Sequence, residues 1–211
     1  NEQLALEDNY WFPYWGGLVI KSKVSKTFCL ELLKKGETVK KEINKCNKKL
    51  AGAIDQEYAF LDSQSWFLPK FKKPLSHYEH MFNNGWQNTA PNIAKPFKVK
   101  HCNVWINYQK CREYNPRHAH GGDLSFVIYL KIPKELIAED AKTKSKFGNA
   151  GTGTIEFYNG EMLPFSICKF EEMPSEGDVY IFPAWMQHQV TPFFSNVERI
   201  TVAGNLILEK G

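Results

Sequence analysis

The chain has 211 residues, of which 43% are hydrophobic and 14% aromatic, and its net charge is +4. This length suits one well-buried core, and no apolar run approaches the roughly 18 residues that a membrane span needs. The five cysteines are odd in number and form no Cys-x-x-Cys pair, which argues against a disulfide framework or zinc knuckle and indicates a reducing, cytoplasmic setting. The lysines crowded in the first third have no interleaved aromatic residues, so we expect a solvated helix face rather than a nucleic-acid surface.

The first half of the chain has the pattern of helix and loop. Between Phe28 and Ile54 apolar residues recur at three- and four-residue steps, with Ser25 available as an N-cap and Gly36 as an expected break. This spacing predicts that the first third is helical. Prolines punctuate the stretch that follows, where we expect one short helix over 76–82 and otherwise loop.

From Phe97 onward short runs rich in Val, Ile, Phe and Tyr alternate with Gly, Pro and Asn, which indicates strands and turns. About eight strands are predicted: a short one that enters His118, and others near 98–108, 124–132, 154–158, 165–170, 178–182, 187–192 and 199–208. This pattern favours a mainly β protein with a double-stranded β-helix core of the jelly-roll or cupin-like kind. We expect a single domain, 1–211, in which 1–96 form a helical and loop buttress, 97–211 form the core, and 134–153 form a soft insertion.

Three histidines lie where strand and turn signals would bring them together. Pro116 favours an extended approach, so His118 and His120 fall on one face of a strand end. A Gly-Asp-x-x-x-Phe-Pro strand and turn over 177–183, followed by a second strand, would return His188 beside them as a hairpin does. Three neutral imidazoles suit a borderline first-row metal such as iron(II).

Arg199 stands eleven residues after His188, among apolar residues in a predicted strand. Its guanidinium matches a carboxylate through two parallel hydrogen bonds, and Thr201 shares its strand face. We therefore expect an anion clamp inside the barrel. Asn107 and Asn205 also lie in apolar strands, where a buried amide needs partners, so each is either a site residue or a structural bridge.

This arrangement resembles the 2-oxoglutarate and iron(II)-dependent dioxygenases, and more narrowly a group of putative oxygenases with a His-x-His motif. The elements that carry the resemblance are Trp105-Ile106-Asn107, His118-Ala119-His120, Ser125 with Tyr129, and Arg199-Ile200-Thr201 with Asn205, while Phe12-Pro13 resembles the start of that group. The resemblance implies a hydroxylase that uses Fe(II), 2-oxoglutarate and O2 and releases succinate and CO2. It also implies that Arg199 grips the distal carboxylate of 2-oxoglutarate, with Thr201, Tyr129, Asn107 and Asn205 at the same site.

His120 occupies the position where most members of the superfamily have a carboxylate. Two ligand sets are therefore open: His118, His120 and His188, which we prefer, or a set in which Asp123 replaces His120. A third option is that His120 or Asp123 only orients a ligand.

Two other functional classes are also open: a cupin-like metal enzyme that does not use 2-oxoglutarate, and a non-catalytic jelly-roll module stabilised by a metal. The substrate, whether a peptidyl residue, a small molecule or a modified nucleobase, has no readable code in this sequence.

Overall fold

A computed structural model describes residues 16–42, 45–46, 51–148 and 151–211. The resemblance at Phe12-Pro13 and two apolar positions of the first helical pattern, Ile43 and Leu50, lie outside these residues. The described part of the chain forms β1 (Ile20–Lys23), α1 (Lys26–Lys41), β2 (Gln56–Ala59), α2 (Ser63–Trp66), α3 (Leu68–Asn83), β3 (Val99–Gln109), β4 (Asn115–His118), β5 (Leu124–Lys131), α4 (Lys134–Phe147), β6 (Ile155–Tyr158), β7 (Lys169–Glu172), β8 (Asp178–Pro183), β9 (Gln187–Val190) and β10 (Arg199–Leu208).

Two antiparallel sheets make up the core. The major sheet has six strands in the order β1-β8-β5-β10-β3-β2, and the minor sheet has four in the order β4-β9-β6-β7. Because successive side chains of a strand point to opposite faces, each sheet has one face toward the other sheet and one face away from it. This is the mainly β architecture that the strand pattern predicts.

Two apolar cores lie on opposite faces of the major sheet. The outer core packs the helices against the sheet and includes Leu32, Phe67, Phe71, Ile106, Phe126 and Val202. The inner core lies between the sheets and is rich in aromatic residues, among them Tyr129, Phe157, Tyr180 and Phe182. The helices thus lie against the outer face of the major sheet.

Several predictions for the first 96 residues are wrong. The short edge strands β1 and β2 were not predicted, and α3 is longer than the expected helix over 76–82 and contains Pro74. Gly36 does not end α1. A Cβ atom at Gly36 would lie 2.4 Å from Cδ1 of Ile106 and 2.6 Å from the hydroxyl of Tyr108. Glycine stands there because α1 lies close to β3, and not because the helix breaks.

The second half of the chain also departs from prediction in three places. The expected soft insertion is mostly the helix α4, whose Leu136 is buried in the inner core. Strand β7 begins at Lys169, so the predicted strand over 165–170 starts too early, and Phe165 is exposed. Strands β8 and β9 belong to different sheets, so the connection between them is a corner and not a hairpin. None of the described helices is long and apolar enough to cross a membrane.

Candidate metal and co-substrate site

Three histidines meet between the sheets. His118, at the end of β4, is the cross-strand partner of His188 on β9, and their ring centroids are 4.3 Å apart. The ring centroid of His120 lies 4.7 Å from that of His118 and 5.0 Å from that of His188. The potential ligand atoms of the three side chains all lie within 4.8 Å of one another, so a single ion could contact all three.

Backbone carbonyls fix the orientation of two of these rings. Nδ1 of His118 lies 2.6 Å from the carbonyl oxygen of Pro116, and Nδ1 of His188 lies 2.9 Å from that of Met186. Because a carbonyl oxygen only accepts, each Nδ1 carries the proton and each Nε2 keeps a free lone pair. Nε2 of His118 is buried and has no hydrogen-bond partner among the described residues. The residues present therefore fit a first-row metal ion, which would take this lone pair.

Burial keeps all three histidines neutral at pH 7. It lowers the pKa of His118, lowers that of His120 to about 4 and lowers that of His188 to about 3. The neighbouring ring of His118 adds to the shift of the other two pKa values. Neutral imidazoles can bind a metal without first losing a proton.

Asp123, the alternative ligand, lies outside the histidine cluster. The chain turns at Gly122, whose φ is +108°. The carboxylate of Asp123 accepts a hydrogen bond from the backbone N–H of Leu208 at 2.8 Å and one from Nζ of Lys210 at 2.6 Å. Asp123 thus holds the end of β10, and His120 joins the histidine cluster instead.

Arg199, the first residue of β10, is 1% exposed. Its guanidinium donates hydrogen bonds to the backbone carbonyl of Gly153 and to the side-chain oxygen of Gln109. Both acceptors are neutral, and Nε has no partner among the described residues. Burial lowers the pKa of Arg199, and only Tyr129 opposes that shift. A buried cation without an anionic partner is costly, so this environment fits an anionic ligand.

A row of polar side chains lies beside Arg199 on the inner face of the major sheet. Thr201 on β10 lies between Asn107 on β3 and Tyr129 on β5. Nδ2 of Asn107 donates to Oγ1 of Thr201 at 3.1 Å.

The hydroxyl of Tyr129 is a second free donor in this region. It is buried, has no partner in the part of the chain that the structure describes, and has a pKa that burial raises to about 12. It is therefore protonated at pH 7. One cavity is lined by all four residues of this region together with two of the histidines: Arg199, Thr201, Asn107, Tyr129, His120 and His188. The free donors of Arg199 and Tyr129 fit a carboxylate placed near the histidine cluster.

Two further residues complete the comparison with the sequence predictions. Asn205 accepts a hydrogen bond from the hydroxyl of Ser125 at 2.8 Å, and it is not among the residues that line the cavity. It is thus a bridge between β10 and β5. Gln109, which holds Arg199, was not predicted as a site residue, although its position two residues after Asn107 on the same strand face would have suggested it.

Comparisons with known proteins relate this chain to one family model and to several solved structures. Residues 103–205 match a family model described as putative 2OG-Fe(II) oxygenase. No curated protein matches the chain. Among solved structures, a prolyl-4-hydroxylase from Pseudomonas putida is similar, with a TM-score of 0.60, 12% identity and coverage of 92% of this chain and 93% of that one. The non-heme alpha ketoglutarate dependent carbocyclase SnoK from nogalamycin biosynthesis has a TM-score of 0.52 and 13% identity, covering 90% of this chain and 80% of that one.

These comparisons confirm the predicted jelly-roll fold and the predicted enzyme class. The matched segment spans all three clustered histidines as well as Asn107 and Thr201. The predicted cofactor and co-substrate, Fe(II) and 2-oxoglutarate, are the ones for which the matched family is named. Residues 103–205 are thus similar to the 2OG-Fe(II) oxygenase family, and the chain as a whole shares the fold of the two solved structures.

Proposed function

We propose that His118, His120 and His188 hold the Fe(II), that 2-oxoglutarate binds between this cluster and Arg199, and that the protein hydroxylates its substrate with O2. Succinate and CO2 are the expected co-products. The observation that carries the proposal is the buried guanidinium of Arg199, which has no anionic partner among the described residues and lines the same cavity as two of the histidines.

The roles of the side chains follow from their free hydrogen-bonding groups. Nε of Arg199 and the hydroxyl of Tyr129 donate hydrogen bonds to the distal carboxylate of 2-oxoglutarate. Thr201 accepts from Asn107, which leaves its own proton free for the same carboxylate. The bound iron supplies the redox chemistry that couples decarboxylation of 2-oxoglutarate to oxidation of a substrate C–H bond. Phe182 packs on His188, with ring centroids 4.7 Å apart, and helps to exclude water.

We infer that the substrate is a peptidyl residue or a small molecule. The two structural neighbours are named as a prolyl-4-hydroxylase and as a carbocyclase of nogalamycin biosynthesis, so the shared fold accommodates both substrate classes.

The test is to load the purified protein with Fe(II) under anaerobic conditions and titrate it with 2-oxoglutarate. We expect a visible charge-transfer band during the titration and succinate formation after air is admitted. Arg199→Gln should keep its iron but need roughly 10- to 100-fold more 2-oxoglutarate, because buried charged hydrogen bonds contribute about 1.5–3 kcal/mol. His188→Ala should bind little iron, so it should also lack the charge-transfer band.

The matched control is His101→Gln, which removes an exposed histidine of β3. It should retain the iron content, the band and the melting temperature of the parent protein. Iron-loaded parent protein that gives neither band nor succinate would contradict the oxygenase proposal. Loss of iron from Arg199→Gln would instead give Arg199 a structural role.

A further inference from the structure

A buried carboxyl group extends the polar row of the co-substrate cavity. Glu57 lies on the edge strand β2, is 1% exposed and is the cross-strand partner of Asn107. Directly opposed residues of antiparallel strands project from the same face of the sheet. Glu57, Asn107, Thr201 and Tyr129 therefore form one continuous row across β2, β3, β10 and β5.

The first two members of this row each have a buried oxygen atom that lacks a hydrogen-bond donor. Oε2 of Glu57 and Oδ1 of Asn107 are both buried, and neither has a hydrogen-bond partner among the described residues. Nδ2 of the amide donates to Thr201, which lies on the other side of Asn107 from Glu57, so the amide oxygen and not the amide nitrogen is left to meet Glu57. Opposed Cβ atoms are about 4.5–5.5 Å apart, a separation that these two side chains can bridge. If Glu57 carries a proton, it can donate to Oδ1 of Asn107, and both atoms are satisfied.

The charges around Glu57 favour that proton. Glu113 faces it from the turn after β3, and its carboxylate is held there by the backbone N–H groups of Asp55 and Lys110. In the described part of the segment before β2, Lys45 pairs with Asp55 at 3.5 Å. No lysine or arginine of the described ranges forms an ion pair with Glu57. Burial, and then the charge of Glu113, raise the pKa of Glu57 to about 8.

We propose that Glu57 is a positioning residue of the co-substrate site, which donates a hydrogen bond to Oδ1 of Asn107 and so fixes the amide with Nδ2 toward Thr201. The Thr201 hydroxyl then accepts from Asn107 and directs its own proton into the cavity. This inference rests on the proposed function, in which Thr201 meets 2-oxoglutarate. Without the donor, the amide of Asn107 is free to rotate, and its oxygen can take the Thr201 proton away from the co-substrate.

The inference predicts a specific pH dependence of co-substrate binding. Glu57 is protonated below its raised pKa and loses the donated hydrogen as the pH rises through about 8. The dissociation constant for 2-oxoglutarate should therefore rise about tenfold between neutral pH and pH well above 8, the equivalent of one hydrogen bond. Glu57→Gln keeps an N–H donor, so it should bind 2-oxoglutarate tightly over the whole pH range. Glu57→Ala should bind 2-oxoglutarate about tenfold more weakly than Glu57→Gln at every pH.

Two measurements on the 211-residue chain test this inference. Titration of the anaerobic Fe(II) protein with 2-oxoglutarate, from pH 6.5 to 9.5, gives the dissociation constant for each variant, and succinate formation then separates KM from kcat. We expect the KM for 2-oxoglutarate to change and kcat at saturating co-substrate to stay the same. Infrared spectra of the metal-free protein at pH 7 should show a protonated carboxyl band that is absent from Glu57→Gln.

Glu113→Gln is the matched control. It removes the charge that repels Glu57 but leaves the cavity intact, so weakening of 2-oxoglutarate binding should begin at a lower pH than in the parent protein. If the pH at which 2-oxoglutarate binding begins to weaken is unchanged or higher in Glu113→Gln, the role given to the proton on Glu57 is overturned.

Thr201→Ala separates failure of this inference from failure of the proposed function. If Thr201→Ala binds 2-oxoglutarate weakly while Glu57→Ala binds as the parent does, Glu57 has no positioning role. If both variants bind as the parent does, neither Thr201 nor Glu57 acts on the co-substrate and the inference fails, whereas the proposed function fails only if the iron-loaded parent gives neither band nor succinate. Weak binding by Glu57→Gln, equal to that of Glu57→Ala, would show that the carboxylate acts in its ionised form and would also overturn the inference.

Discussion

At the scale of single residues, one short turn separates His120, which joins the histidine cluster, from Asp123, which does not. The spacing from His118 to Asp123 left either His120 or Asp123 as the third ligand, because the turn formed by two glycines could send the chain in either direction. The structure places His120 in the histidine cluster and ties the carboxylate of Asp123 to Leu208 and Lys210. The conformation of Gly122 decides between them, and a strand-spacing argument cannot supply it.

The iron content should therefore depend on whether a substitution at His120 keeps a ligand atom, whereas a substitution at Asp123 should change the stability. His120→Asp should retain iron, because a carboxylate completes a two-histidine, one-carboxylate site. His120→Ala should bind less iron. Asp123→Asn should keep its iron but lower the free energy of unfolding by about 1 kcal/mol, since it weakens two partly exposed charged hydrogen bonds. Metal analysis and denaturant unfolding measure both quantities. Loss of iron from a folded Asp123→Asn variant would return Asp123 to the ligand set.

Whether a candidate site residue could be predicted from the sequence depended on the strand that holds it. Arg199 and Thr201 could be predicted because β10 is a long apolar strand whose alternation is clear in the sequence. Glu57 could not, because β2 has only four residues and its pairing with β3 is a long-range contact that no local pattern reveals. The same reasoning explains why Gln109 was missed, since its partner Arg199 lies 90 residues away.

At the scale of elements, helix propensity and packing make opposite demands at Gly36. Glycine in a helix interior costs roughly 1 kcal/mol relative to alanine, so propensity alone predicts either a helix break or a stabilising replacement. In the structure α1 continues through Gly36 and lies against Ile106 and Tyr108 of β3. The glycine permits close approach of the helix to the sheet.

Gly36→Ala should consequently destabilise the protein. The new Cβ atom would overlap two buried side chains, Ile106 and Tyr108, and overpacking of this kind costs about 1–3 kcal/mol. Denaturant unfolding measures the loss. Gly85→Ala is the control, because a Cβ atom there meets nothing within 4 Å. A gain in stability for Gly36→Ala, of the size that helix propensity gives, would contradict the packing explanation.

Among the other elements, prediction succeeded where burial dictates the sequence pattern. The bounds of β10 agree with the predicted strand over 199–208, and those of β3 and β5 agree to within one residue at each end. The helix α4 was not predicted, because a segment rich in lysine and threonine shows little apolar periodicity, and it is fixed by the burial of Leu136 and by the hydrogen bond from Thr152 to Asp140. Tertiary contacts, which the local sequence does not encode, decide such elements.

At the scale of the whole molecule, the helices and the jelly roll share one core. The outer core joins side chains of the first 96 residues, such as Leu32 and Phe71, to side chains of the major sheet, such as Ile106 and Phe126. Edge strands β1 and β2 also come from the first part of the chain, and β2 brings Glu57 to the polar row. We propose that the chain is a single domain in which the N-terminal part completes both the fold and the site.

The fragment 97–211 should therefore not fold by itself. Without the helices, the outer face of the major sheet would expose large apolar side chains such as Ile106, Phe126 and Val202, which are at most 1% exposed in the full chain. Each would forfeit about 1.5–3 kcal/mol, so a few of them outweigh the 5–15 kcal/mol that stabilises a typical domain. Near-ultraviolet circular dichroism and denaturant unfolding test this, with the full chain as control. Cooperative unfolding of the isolated fragment would show that residues 97–211 are an independent domain.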